Sequence, residues 1–168
     1  AFFQLQRLLS DRLYLIVAKS HPLSVLNEVD ITSLYGERLA TAKAVRSDAI
    51  LGRVLENWAH VTRFTSIDLV MQAVLKQGMI GFLPRYILLS EGSCYPAASQ
   101  FAAIPIRNTE RPNRLALCLL HKPDEMLTQQ EKILKICVLN CFQRFREAHK
   151  DCSLEEDLYE NGISSVSP

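Results

Sequence analysis

The sequence predicts an α/β fold arranged as two lobes, and three observations carry that expectation. Apolar runs of strand length alternate with segments of helical periodicity through most of the chain. That alternation is the mark of a largely parallel sheet with crossover helices. Two runs, Leu13–Ala18 and Leu115–Leu120, are nearly continuous in apolar residues, as strands covered on both faces are. These two runs bracket roughly 95 residues, so a lobe leaves one sheet and returns to it through a two-strand hinge.

The elements follow in order. Residues 1–12 mix apolar and polar residues without a helix cap and read as a strand tail or a connection. Arg12–Ala18 is the first buried strand, ended by His21-Pro22, because proline cannot sit in a central strand. Glu28–Tyr35 is a short helix or turn capped by Asp30 and stopped by Gly36. Arg38–Ala42 is a short strand and Lys43–Asp48 a polar loop. Ser47 or Asp48 caps a helix over 49–59, with Ile50, Leu51, Val54, Leu55 and Trp58 on its inner face.

His60–Thr65 is a short strand leading to the best-defined unit, Ser66–Pro84. Ser66 caps a helix whose apolar face is Ile67, Val70, Met71, Val74 and Leu75. Gly78 ends the helix in the left-handed conformation. Met79–Leu83 is a buried strand in which Gly81 allows close approach, and Pro84 breaks it. Arg85–Leu89 spans one or two helical turns. Glu91–Pro105 is a long loop, and Ile104–Ile106 a short edge element. Arg114–His121 is the second fully buried strand. Thr128-Gln-Gln-Glu131 is a capping box opening a helix to about His149, whose wide apolar stripe predicts packing on a sheet.

Composition narrows the classes. Of 168 residues, 48% are hydrophobic, as in globular domains. No apolar run nears the roughly 20 residues that a membrane helix needs, and the opening Ala-Phe-Phe-Gln-Leu-Gln does not read as a signal peptide. These point to a cytoplasmic protein. The net charge of +1 does not suggest nucleic-acid binding by these residues. Residues 151–168 hold five acids and no Lys or Arg, leaving all 19 basic and 13 acidic residues in 1–150. The acidic end reads as a mobile tail. Five Cys without regular spacing make a poor disulfide framework. Cys137 and Cys141 read as packing residues on the last helix, and Cys94 as an exposed thiol.

No Walker loop, G-x-G-x-x-G or G-x-S-x-G is present, and His21 has no triad partner, so no catalytic residue, cofactor or metal site is assigned. The candidate binding residues lie at two strand ends instead. Thr41, Lys43, Arg46 and Ser47 follow one strand; Thr65 and Ser66 follow the next. Hydroxyl donors, two cations and a helix N-terminus suit a small anionic ligand.

Leu13-Tyr-Leu-Ile-Val-Ala-Lys-Ser-His21-Pro22-Leu23 resembles the strand and His-Pro-Leu signature of the effector domain of LysR-type transcriptional regulators. Val74-Leu-Lys-Gln-Gly78-Met-Ile80-Gly81-Phe82-Leu83-Pro84 resembles the same family's V-x-x-G-x-G-I-x-x-L-P unit, with the glycines here three apart. The resemblance covers about residues 8–147. It implies a type 2 periplasmic-binding-protein-like fold with the second lobe complete and the first lobe partial. Residues 1–150 would be a partial effector-binding domain, with 19–113 the second lobe and 114–150 the return to the first. The implied function is small-molecule sensing and oligomerisation as a dimer or tetramer. DNA would be reached only through a helix-turn-helix domain, so the expectation is of an N-terminally truncated chain. A periplasmic-type solute-binding protein and a small α/β enzyme are the alternatives.

Overall fold

The computed structural model describes residues 3–42, 52–89, 98–109 and 113–149. Among them are eight strands in two sheets. Strands β1 (Gln4–Asp11) and β8 (Leu115–His121) form a two-stranded antiparallel sheet. The six-stranded sheet holds β2 (Leu13–Ala18), β3 (Val29–Asp30), β4 (Arg38–Ala42), β5 (His60–Phe64), β6 (Ile80–Pro84) and β7 (Phe101–Arg107), in the order β3-β7-β2-β6-β4-β5. Helices α1 (Ile67–Gln77) and α2 (Tyr86–Leu89) belong to the large sheet, and α3 (Gln129–Ala148) to the small one.

β2 is antiparallel to both its neighbours, β6 and β7, while β4 is parallel to β5 and β6, and β3 to β7. Every strand of the large sheet except β2 therefore runs one way. The expectation of a largely parallel sheet holds with that one exception, and the exception has a simple cause. β2 carries the chain away from the crossing between sheets, and each later strand comes back toward it.

The alternation along β2 builds two cores. Leu13, Leu15 and Val17 face one side with Ile31, Leu34, Leu39, Ile80, Phe82 and Ile104. Ile16 faces the other with Ala40, Leu83 and the α1 residues Val70, Met71 and Val74. Trp58 closes the first core edge-on to Tyr35 and Phe82, at 5.6 Å between ring centres in each pair, and its indole N–H donates to the Glu37 carbonyl at 2.7 Å. On the other face Ser66 caps α1, and Gly78 ends it at φ 61°. Gly81 lies beneath that helix. A Cβ there would sit 3.3 Å from Val70 Cγ1 and 3.4 Å from Val74 Cγ2.

Several expectations change. The strand that pairs with β8 is β1, not Leu13–Ala18, which belongs wholly to the other sheet. β1 was readable only as a tail because its partner lies more than a hundred residues away. Ile104–Ile106 is not an edge element but part of the seven-residue β7, which lies between β3 and β2. Pro105 is tolerated there just before the two residues that pair with β3. The helix expected over 49–59 appears as 3-10 turns over Gly52–Asn57; its start, with Ile50 and Leu51, lies outside the described residues. β8 is half-exposed rather than buried, since its described partner strand is β1 alone. α3 has the capping box that its sequence predicts but no buried residue. The tail 151–168 lies outside the described residues.

Gly81→Val should destabilise the chain by about 1–3 kcal/mol, because its methyl groups have no room under α1. A lowered midpoint of urea unfolding with an unchanged slope is the expected reading, and an unchanged midpoint would refute the packing.

Candidate functional site

The direction of the strands decides where a site can form. β3, β4, β5, β6 and β7 all present their carboxyl ends at the edge of the large sheet where Leu13 begins β2. Open α/β sheets bind ligands at such an edge, where loops and helix starts converge. The register places Ala42 opposite Phe64, at the adjoining ends of β4 and β5.

Thr41 is buried near the end of β4. Thr65 is exposed, and Ser66 half-buried, at the end of β5. Ser66 Oγ accepts from the Leu69 N–H at 3.4 Å, while its carbonyl accepts from Val70 at 3.4 Å. The hydroxyl is thus a helix cap that still has its own proton to donate. Asp68 occupies the first turn of α1, where its charge is favourable to the helix and competes with an anion. Thr41 lies near the end of β4, and Thr65 and Ser66 follow the neighbouring β5. Lys43, Arg46 and Ser47 lie outside the described residues.

The same edge holds groups that the sequence does not reveal. Arg85 follows β6 directly, with its guanidinium carbon 6.0 Å from the centre of the Tyr14 ring. Asp11 is only 4% exposed. Its two oxygens accept from the N–H groups of Arg12 at 2.7 Å and Tyr86 at 2.8 Å. Burial raises the Asp11 pKa above the usual carboxylate value; the two backbone donors and the Arg85 charge pull the other way and do not cancel it. Burial likewise raises the Tyr86 pKa, and the Asp11 charge adds to the effect. Asn113 completes the group. Its Oδ1 accepts from the Leu13 N–H and its Nδ2 donates to the Leu13 carbonyl, both at 2.8 Å. No local pattern marks Asp11 or Asn113, because each acts on backbone distant in sequence.

At the outer margin, Asp30 caps the turn Ile31–Leu34 through Thr32 and accepts from the Asn108 side chain. These hydrogen bonds, first that of the Thr32 hydroxyl, hold its carboxyl below its usual range. Asn108 itself leaves β7 at φ 59°. His21 is a strand-end residue, as its sequence context predicts, with Nδ1 accepting from the Leu23 N–H at 3.2 Å.

Other regions offer less. Among the described residues no three His, Cys, Asp or Glu side chains gather as a metal site. Cys137 and Cys141 are exposed on α3 rather than packed; their spacing fixes a shared helix face but not what covers it. Cys94 lies outside the described residues. A hollow of about 310 Å³ runs between β8 and α3 past Leu119, Leu134 and Val138, and one of about 470 Å³ lies at the opposite end of β4 and β5 by Arg38 and His60. Neither includes Thr41, Thr65 or Ser66, whose site is an open edge with one described wall. No described helix is long and apolar enough to cross a membrane.

Comparison with known proteins follows the same geometry. The family described as LysR substrate binding domain matches residues 3–130. Among curated proteins none matches the chain. The regulatory domain of CcmR from Synechocystis, in complex with 2-PG, is similar at a TM-score of 0.62 and 18% identity, covering 84% of this chain and 68% of that one. The effector binding domain of QuiR, in complex with shikimate, is similar at 0.61 and 13%, covering 84% and 66%. An amino acid ABC transporter substrate-binding protein from Streptococcus pneumoniae, bound to L-arginine, is similar at 0.55 and 14%, covering 88% and 56%. At these identities the likeness is one of fold, and the chain spans about two thirds of the length of the first two.

The buried Asp11 carboxyl sets a pH dependence. Because its folded pKa is raised, its contribution to stability is full below its ordinary value near pH 4 and is lost as pH rises through the folded value. Asp11→Asn should therefore lose less stability than the parent chain as pH rises from about 4 through that window. Urea unfolding at a series of pH values reads this directly, and parallel profiles for the two chains would contradict it.

Proposed function

The chain belongs to the LysR substrate binding domain family, and we propose that its site reads a small anionic effector and passes the signal on as a change between its lobes. The observation that supports the reading is the convergence of strand ends at one edge, with Thr41 near the end of β4 and Thr65 and Ser66 just after its neighbour β5. The hydroxyls of these three residues and the N-terminus of α1 donate hydrogen bonds to the ligand. Lys43 and Arg46 supply charge, and Ser47 a further donor. The family is one of regulatory domains rather than enzymes, and nothing in the described site calls for a reaction step.

In this reading residues 1–150 are a partial effector-binding domain, followed by the acidic residues 151–168. Strand pairing supports beginning the second lobe at Leu13 instead of at residue 19, with 114–150 returning to the first lobe. The protein works in the cytoplasm as a dimer or tetramer, and a helix-turn-helix domain provides its contact with DNA. The effector switches the assembly only if it binds one lobe arrangement more tightly than the other. The complexes of CcmR with 2-PG and QuiR with shikimate support a small-molecule ligand at a domain of this fold. The similarity to a transporter's substrate-binding protein keeps solute binding as the second reading.

A thermal-shift screen against small carboxylates and phosphates tests the site. A ligand at about a hundred times its Kd adds about 2.7 kcal/mol and raises the Tm by several degrees. Thr41→Val should weaken the response about tenfold in Kd through the loss of one buried hydroxyl. If no anion raises the Tm, the proposed site is wrong.

A further inference from the structure

Two peptide connections join the sheets, β1 to β2 and β7 to β8. The first is very short. Asp11 pairs with Leu115 in the small sheet, Leu13 pairs with Pro84 in the large one, and Arg12 alone stands between. A single residue permits wide changes of angle, so something other than chain length must set it.

The side chains of Asp11 and Asn113 span this junction. Asp11 ends a small-sheet strand, yet its carboxylate accepts from Tyr86 at the start of α2, directly after the large sheet's β6. Asn113 stands two residues before β8, yet its amide takes both backbone groups of Leu13. These two contacts also settle the amide's orientation, since a flip would set N–H against N–H.

The large sheet leaves Leu13 with those groups unpaired. Its neighbour on one side is Pro84, which has no N–H to give. On the other side the ladder with β7 stops at Tyr14 and Pro105. The Asn113 amide takes the place of the missing strand. Leu13 is 1% exposed and Asp11 4%, so water competes poorly for these bonds.

We propose that Asp11 and Asn113 form a clamp that sets the angle between the two sheets, through three hydrogen bonds from small-sheet side chains to large-sheet backbone. Both are positioning residues. The clamp holds the angle about Arg12, and cutting it frees the angle while each sheet stays folded. The inference rests on the two-lobed reading above but not on any effector.

Residual dipolar couplings of the full ¹⁵N-labelled chain in a weakly aligning medium test it, with hydrogen exchange measured alongside. In the parent chain, amides of β2, β4 and β6 and amides of β1, β8 and α3 should fit one alignment tensor. In Asn113→Ala and Asp11→Ala the two sets should need separate tensors. Protection of the Leu13 amide in the first variant and the Tyr86 amide in the second should fall about tenfold or more. Asn113→Asp keeps the acceptor for the Leu13 N–H and loses the donor to its carbonyl, so it should fall between. Should an alanine variant fail to fold, Asn113→Asp and Asp11→Asn carry the same comparison. A single shared tensor in the folded variants, with only a lower unfolding midpoint, would overturn the clamp and leave these bonds as ordinary stabilisers. Failure of every anion in the thermal-shift screen would instead count against the proposed binding site and leave the clamp result intact.

Discussion

Everything in the large sheet depends on β2 being sealed from water on both faces. Leu13, Leu15, Ile16 and Val17 are at most 1% exposed. Burying such side chains is worth on the order of 1.5–3 kcal/mol each. A strand so placed must have its hydrogen bonds met on both edges, and β6 and β7 meet them except at Leu13, where the Asn113 amide does. Once β2 is central and runs outward, the returning strands bring their carboxyl ends to a common edge. The place of the edge proposed to bind is thus a consequence of burial and chain direction, before any polar residue is considered.

Local chemistry was legible in the sequence and distant pairing was not. Ser66, Gly78 and Pro84 mark their boundaries through their own backbone preferences, so the helix–strand unit around α1 reads correctly from its residues. The capping box of Thr128 and Glu131 does too, and both of its hydrogen bonds form. β1 failed because a strand on an exposed two-stranded sheet carries no alternation strong enough to announce it. β7 failed because Pro105, with Ala and Ser nearby, has the composition of a loop. The exposure of α3 was illegible for another reason. Periodicity tells which residues share a face and is silent on whether anything lies against it; Ile133, Leu134 and Ile136 are 53–64% exposed.

The candidate site divides in the same way. The places of Thr41, Thr65 and Ser66 at strand ends could be read because strand ends and caps have local signatures. Asp11, Arg85 and Asn113 could not, since their roles come from partners that the chain brings close only on folding. The wider spacing of Gly78 and Gly81 also finds its account. Gly78 serves helix termination, and Gly81 serves the close packing of β6 under α1, so the two glycines answer to different constraints.

The pairing of β1 with β8 has a consequence for how the chain folds. Gln4 lies opposite His121, so the small sheet closes a loop of more than a hundred residues, whereas β4, β5 and β6 meet within about forty residues. Contacts of long sequence separation form slowly, because loop closure must be met before they give any return. During synthesis the large sheet can assemble as soon as β7 emerges, while β1 waits for β8 to arrive. β1 is therefore among the last of the described strands to find its partner, and its Leu8 and Leu9, buried in the folded chain, remain uncovered for that interval.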